Sequence, residues 1–566
     1  MMTYEANPRY AAVGGTADQG WPPAIAALPA GPIVLALDGP AVLDWKAAID
    51  GVRAAASARG RTVEPLDLRT YFTSWERILA RTASAELPDD PDFATLAGGA
   101  LSDLFDELPD PRPADDGLIV VYGPGAALVH HDVLWYLDLP KRYVEAAINA
   151  GTGRNLGQPE GTGRGTTKRL FYIDWPLLDR HRDTIAGRID RWFDLQDSRR
   201  PTSLSGDTLR RTITALARRP FRTRPTFNTT SWGGHWAQRE LGFNPDAPNT
   251  ALGYELIAPE SGVLIGDGPG RQVEVPFQML VERHPDEIMG REARARFGTS
   301  FPIRFDYLDT MSGGNLSVHC HPQPDYMRRV FGWPYTQHET YYIMVGGTDR
   351  KVFLGLRGDV DVDKFHRQAH DAHHHEVPMD IEEHVQVLPA TPHQLFCIPA
   401  GTPHGSGEGN VVLEVSATPY LYSLRFYDWL RRDSANRQRP VHVEHAFRNL
   451  DTDRLGEAVT RDLVQTPRSV DEGDGWAEEL LGALPEMFFQ VRRLVLDPGA
   501  RLPAATGDRF HVLNVVDGDG VLVTTCAGDE HHLSYAETLV VPAAVGDYTL
   551  RSLGSSPVRV VKALIS

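Results

Sequence analysis

Cysteine is nearly absent: 566 residues hold only Cys320, Cys397 and Cys526. Three thiols cannot build the cross-linked framework of a small secreted domain, and such scarcity suits a reducing cytoplasm. Long apolar runs are missing too. No stretch of about 18 apolar residues occurs, so no transmembrane helix is expected. The opening MMTYEANPRY lacks a basic stretch followed by an apolar one, so no secretory signal is expected either. Positive charge is in deficit: 57 Lys and Arg face 75 Asp and Glu, a formal net charge of −18. A nucleic-acid surface needs a basic field and is therefore not expected, whereas a phosphorylated small molecule needs only a local basic pocket. The expectation is a cytoplasmic protein with neither nucleic-acid nor membrane partners, homo-oligomerisation being left open.

What is present must fill more than one core. The length points to about three or four domains. From 31 to 220, buried-strand runs such as PIVLALDGP and LIVVYGPG alternate with helical stretches, which argues a parallel α/β layer after a lead segment, 1–30. A Gly/Thr-rich stretch with basic residues, GTGRNLGQPEGTGRGTTKR (151–169), reads as a mobile loop. From about 221 the strands shorten and alternate, as in all-β folds, with helical patches expected near 363–376 and 425–433. Residues 221–470 and 471–566 are expected to form separate β units. The polar stretch 465–476 reads as a linker, and 300–420 and 486–566 as two copies of one β design.

The chemistry is concentrated in LSVHCHP (316–322). Leu316, Val318 and Cys320 alternate with Ser317, His319 and His321, so one strand face is apolar and the other carries two imidazoles. Cys320 is expected in the core. Neutral imidazole nitrogens hold metal ions. Gly313 precedes His319, Glu339 and Gly346 follow His321, and Pro399-x-Gly401-x-x-His404 comes downstream. In order, these parts resemble the two-part motif of cupin β-barrels, in which several strands deliver ligands into one interior.

The flanking sequence resembles class I mannose-6-phosphate isomerases over about 225–435 and, more weakly, 486–566. The resemblance is carried by SWGGHWAQREL (231–241), FPIRFDYLDTMSGGNLSVHCHP (301–322), FCIPAGTPHGSG (396–407), NVVLEVSATPY (410–420) and LRFYDWLR (424–431). It implies a cupin barrel with small helical insertions, a second cupin-like barrel without metal, and isomerisation between an aldose and a ketose through a cis-enediol. It implies metal ligands at His319, His321, Glu339 and His404, a catalytic arginine at Arg425 and a proton-carrying carboxylate at Glu414. Two positions depart from the family. The first ligand, usually Gln, is His319, giving three imidazoles and one carboxylate; that set suits Zn2+ first and also Fe2+, Mn2+, Co2+ or Ni2+. The family's lysine two residues before the ligand Glu is Gln337, which removes a cation beside the sugar, so Arg431 or Arg432 is considered for a phosphate. The substrate is a sugar or sugar phosphate.

Other readings share these residues: an Fe2+ cupin oxygenase, a non-catalytic sugar sensor, and a bifunctional kinase–isomerase. The insertion between His321 and Glu339 and the YDW segment weigh against the oxygenase. His366, His370 and His374 recur every fourth residue and read as a solvated helical face rather than a second metal site. In the last unit, VVPAAVG (540–546) places Gly546 where a ligand His would stand, and His511, His531 and His532 lack partners. VLALDGPAVLDWKAAI (34–49) resembles the P-loop of nucleoside and uridine kinases, as do Asp67 and WYLDLPKRYVEAAINAG. A working loop, GxxxxGK[ST], counted from Gly39 would put Gly and Lys at Asp44 and Trp45, with Lys46 one place late. A degenerate P-loop domain is expected, retained as scaffold or sensor.

Overall fold

The N-terminal apolar runs become five parallel strands: β1 (Ile33–Asp38), β2 (Val63–Asp67), β3 (Leu118–Tyr122), β4 (Val133–Asp138) and β5 (Arg191–Asp194). This computed structural model describes residues 4–113, 117–433 and 436–566. The strands lie in the order β2-β3-β1-β4-β5, with antiparallel Thr202–Ser205 and Asp18–Gln19 beyond β5. β1 is buried at every residue, as a central parallel strand covered on both faces must be. The helix Trp45–Ser57 (α1) follows, capped by Asp44, whose carboxylate accepts the Ala47 amide at 2.9 Å. Trp45 packs inward, and Lys46 turns outward to Asp50 at 2.5 Å. The described part of the lead segment, residues 4–30, is joined to the sheets. Arg9–Tyr10 pairs with Gly262–Gly266, and Asp18–Gln19 joins the N-terminal sheet.

Six strands carry the candidate site: β6 (Ile303–Asp309), β7 (Val318–Cys320), β8 (Glu339–Val345), β9 (His404–Ser406), β10 (Val411–Ala417) and β11 (Leu424–Tyr427). β8, β10 and β6 are neighbours in a seven-stranded sheet; β9, β7 and β11 are neighbours in a five-stranded one. Alternation divides each strand between two environments. Ile303, Phe305 and Tyr307 of β6 and Leu413 and Val415 of β10 pack outward into the large core shared with other elements. The opposite face is apolar at one end, where Leu308, Ile343, Val412, Val352 and Leu354 form a common cluster from both sheets. At the other end Arg304, Asp306, Glu339, Tyr341 and Glu414 line a cavity. The polar site therefore sits on an apolar plug within one two-sheet unit.

Glycines fix the entrance to this unit. A Cβ on Gly234 would overlap Asp309 Oδ1 and the Met311 amide nitrogen, and one on Gly313 would overlap the Trp232 and Gly233 carbonyls. Gly234→Ala is expected to cost about 1–3 kcal/mol, the usual penalty of overpacking, and to lower the urea midpoint. An unchanged midpoint would contradict this packing.

Two local expectations fail. The helical patch expected at 425–433 is instead the strand β11, paired with β7, and the chain then turns through Trp429 and Leu430, whose φ values are 57° and 52°. Pairing across the sheet overrides the local periodicity. The linker expected at 465–476 is the start of a hairpin, Arg468–Gly473 against Trp476–Gly482. The helix expected at 363–376 is present as Val362–His375. The remaining C-terminal strands form six- and four-stranded sheets around Leu494, Leu513, Val523, Leu550 and Val560. There His511 bonds the Tyr548 hydroxyl at 2.7 Å.

The N-terminal unit is docked on the β-rich part. Glu274 takes both Arg142 nitrogens at 2.7 Å and Arg224 at 2.9 Å, the Leu96 amide donates to Phe331 O at 2.9 Å, and Asp90 meets His445 at 2.7 Å. Burial alone would raise the Asp90 pKa, but the His445 bond and the Phe93 and Asp92 amides outweigh it and hold it at about 2. An unfolded Asp titrates near about 3.9. A depressed carboxylate contributes stability above its unfolded pKa and loses it as pH falls through the folded one. Docking is thus expected to weaken between about pH 4 and 2. Urea midpoints of wild type and Asp90→Asn should converge as pH falls through that window; a difference independent of pH would contradict this account.

Candidate metal centre and substrate cavity

β7 and β9 place His319 opposite His404, and the period of two brings His321 onto the same face as His319. All three rings are buried. Each Nδ1 faces a backbone carbonyl: His319 to Ser317 O at 3.0 Å, His404 to Thr402 O at 2.8 Å, and His321 to Tyr422 O at 3.3 Å. A carbonyl only accepts, so the proton sits on Nδ1 and the Nε2 lone pair is left for the interior. One ligand nitrogen from each ring lies within 4.8 Å of the others, the only such group of three or more His, Cys, Asp or Glu among the described residues. Glu339, which opens β8, reaches two of the rings: Oε2 is 2.7 Å from His321 Nε2 and Oε1 is 3.5 Å from His404 Nε2. Gln337 Nε2 donates to Glu339 Oε2 at 2.9 Å.

Burial, reinforced by His404 and His321, holds the His319 pKa well below its ordinary value. Burial also lowers that of His321, against the pull of Glu339. Burial would raise Glu339, but His404 and His321 outweigh it and hold it well below the usual carboxylate range. A neutral imidazole beside an ionised carboxylate is the protonation state a cation requires. His404 Nε2 and Glu339 Oε1 are buried without a hydrogen-bond partner. Buried polar atoms are seldom left so, and a cation among the rings would satisfy both. The residues present fit a metal ion.

A cavity of about 830 Å³ opens above this group. On one wall Arg304 binds Glu414, with Arg304 Nε donating to Ser416 Oγ at 2.5 Å and Ser416 Oγ to Glu414 Oε1 at 2.8 Å. Asp306 is 3.5 Å from Arg304. Burial pushes Glu414 well above its ordinary pKa, against Arg304 and with help from the Asp306 and Glu339 charges. Burial takes Asp306 to about 7, Arg304 opposing and Glu339 adding. Arg425, paired with His319 across β7 and β11, also lines the cavity. Its guanidinium donates to Pro440 O at 3.1 Å, and burial together with neighbouring Arg439 lowers its pKa to about 10.

The structure thus brings His319, His321, Gln337, Glu339, Glu414 and Arg425 to one cavity, with His404 behind its wall, paired with His319 and 3.5 Å from Glu339. It does not bring Arg431 there. That guanidinium binds Asp428 at 2.7 Å and the Asn315 carbonyl, because the Trp429–Leu430 turn sends it away. Arg432 pairs with Glu376 at 2.6 Å near the surface. Sequence reasoning missed Arg304 and Asp306, although their alternation in IRFDYLD signals an inward polar face. It also missed the N-terminal contributors Asp92, Arg164 and Lys168, for which the basic Gly-rich stretch was the only hint.

Residues 20–218 match a family model described as a domain of unknown function, DUF8485. A second likeness covers more than half of the chain. "Probable mannose-6-phosphate isomerase GmuF" of Bacillus subtilis is 23% identical over 337 residues, 58% of this chain and 96% of that protein. "Mannose-6-phosphate isomerase ManA" of the same organism is 22% identical over 340 residues, 58% of this chain and 95% of that protein. Among solved structures, the Bacillus subtilis mannose 6-phosphate isomerase aligns with a TM-score of 0.48 at 19% identity, covering 61% of this chain and 99% of its own. A phosphomannose isomerase variant from Salmonella typhimurium gives 0.47 at 14% identity, covering 62% and 100%. Over about 58% of its length, this chain is homologous to mannose-6-phosphate isomerases.

Proposed function

We propose that this protein is a metal-dependent aldose–ketose isomerase acting on a sugar phosphate of the mannose 6-phosphate/fructose 6-phosphate type. The observation that carries the reading is the pair of orphaned atoms, His404 Nε2 and Glu339 Oε1, facing each other beneath a cavity of substrate size. His319, His321, Glu339 and His404 would hold the ion, Zn2+ being the best match to three imidazoles and a carboxylate. Such an ion, when bound, supplies a fixed positive charge that stabilises developing negative charge on the sugar oxygens. Arg425 adds a second positive charge at the same wall and orients the carbonyl oxygen. Glu414, ionised and with Asp306 beside it, takes the C2 proton of the aldose as O1 gains one, and returns it to C1 of the cis-enediol as the O2 hydroxyl gives one up, so no oxidant is consumed. Arg304 and Ser416 keep that carboxyl aimed at the cavity.

The same proposal assigns two cupin barrels to 221–470 and 471–566 and a degenerate P-loop scaffold to 31–220, in a soluble cytoplasmic protein. No helix is long and apolar enough to cross a membrane among the described residues. Support for degeneracy comes from the end of β1. The Asp38 carboxylate accepts the amides of Gly39 at 2.7 Å, Gly125 at 3.1 Å and Ala127 at 2.8 Å, and meets His181 at 2.7 Å. A side-chain anion thus occupies a nest of amides of the kind a phosphate would need.

Proton NMR in D2O tests the reading. Metal-loaded protein is expected to interconvert mannose 6-phosphate and fructose 6-phosphate, with solvent deuterium entering at C1 or C2 and no O2 uptake. Substrate-dependent oxygen consumption, or binding without turnover, would replace it with the oxygenase or the sensor.

A further inference from the structure

The β-sheets alone do not complete the cavity. Arg164 and Lys168, from the Gly-rich stretch of the N-terminal unit, line it together with Arg425 and His442 of the β-rich part. More than 150 residues of chain separate Arg164 and Lys168 from His319 and His321, yet all four line one space.

The stretch is held in place rather than draped. Asn155, buried, donates to Thr166 O at 3.1 Å and to Asp174 Oδ2 at 2.8 Å, and its own oxygen accepts the Thr166 amide at 2.8 Å. Asp174 Oδ2 also accepts the Leu156 amide at 3.1 Å. Gly163 has φ +104°, which a side chain would resist, and a Cβ on Gly165 would press on Ile148. These constraints set Arg164, between two glycines, at the cavity mouth.

Three cations here have no carboxylate within ion-pair distance among the described residues, unlike their neighbours. Arg439 is answered by Asp428 at 2.9 Å and Arg437 by Asp433 at 2.8 Å. Arg164 makes no side-chain hydrogen bond or ion pair among the described residues. Lys168 gives one bond to Asp90 O, which leaves two of its N–H groups, and Arg425 gives one to Pro440 O. One carboxylate, Asp92, shares this end and lies 3.6 Å from His442. In a chain of net charge −18, a cavity end with cations in excess is a local inversion of sign. On the barrel side the corresponding position is the neutral Gln337, already spent on Glu339.

We propose that the N-terminal unit supplies the phosphate end of the isomerase cavity: Arg164 and Lys168 bind the phosphate dianion of a sugar monophosphate whose C1–C2 end lies at the three histidines. The proposal rests on the isomerase reading of that cavity, and it makes the N-terminal unit part of the substrate site. A dianion held by two cations at the mouth leaves Arg425 free to serve the reacting end.

The full-length, metal-loaded protein is the test object. Steady-state kinetics with mannose 6-phosphate and with unphosphorylated mannose are compared for wild type, Arg164→Ala, Lys168→Met and the double variant. The double variant is expected to raise KM for the phosphate ester about 10–100-fold, and that for unphosphorylated mannose by far less. Arg164→Lys should restore most of the loss caused by Arg164→Ala. An unchanged KM for mannose 6-phosphate in the double variant, with thermal stability intact, overturns the proposal. Should the wild type turn over neither sugar, the isomerase reading fails, and phosphorus NMR titration with mannose 6-phosphate decides the phosphate site separately. Binding lost in the double variant upholds it; equal binding by both proteins, or none by either, overturns it.

Discussion

His404→Ala is expected to reduce isomerase activity by more than about 100-fold and to release the bound metal. Loss of a group that merely orients a metal ligand costs about 10–100-fold, so loss of the ligand itself must cost more. His404 is the sharpest position because its buried Nε2 makes no hydrogen bond and faces Glu339 Oε1 at 3.5 Å, while its Nδ1 gives up only the bond to Thr402 O. His319→Gln is the control, restoring the amide oxygen found in the isomerases this sequence resembles. It is expected to keep the ion and activity within about tenfold of wild type. Chelation should lower thermal stability of the wild type, since an ion that binds only the folded state stabilises it, and should leave His404→Ala unmoved. Equal metal content in wild type and His404→Ala, with full activity, would remove the site.

Arg425→Ala carries the second large effect. Removing one fixed charge from a preorganised site typically costs about 10²–10³ in kcat, and that range is expected here. Arg425→Lys should not recover it, because an ammonium lacks the planar fork that orients a carbonyl oxygen. Stability should change little, as the guanidinium gives up only its bond to Pro440 O. A variant retaining wild-type kcat would show that Arg425 only lines the wall. A fall confined to KM would mean that it contributes to binding alone.

The ligand set was legible because each part is local. His-x-His needs only a strand, and Pro399-x-Gly401-x-x-His404 needs only a turn into a strand, so spacing fixes which side chains share a face. Glu339, at the start of β8, was legible as the next part of the same motif, whereas Glu414 on β10 was reached only through the family resemblance. Arg431 was not. LRFYDWLRR holds three arginines, and their facing depends on a turn with positive φ at Trp429 and Leu430, residue types that give no warning of it. The same stretch has helical spacing, and only its pairing with β7 makes it a strand. The Gly-rich stretch 151–169 looked like a mobile loop because glycine permits many conformations. What fixes it, Asn155 clasping Thr166 and Asp174, is a tertiary arrangement that no local period reveals. Its place at the cavity depends on docking through Glu274, Asp90 and Leu96, three contacts between units far apart in sequence.

Diffraction from metal-loaded crystals at the absorption edge of the bound ion tests the central claim most directly. A single anomalous peak is predicted among His319, His321, Glu339 and His404, with ligand distances of about 2.0–2.2 Å. A peak elsewhere, or a fully loaded protein with no density among these four side chains, would contradict it.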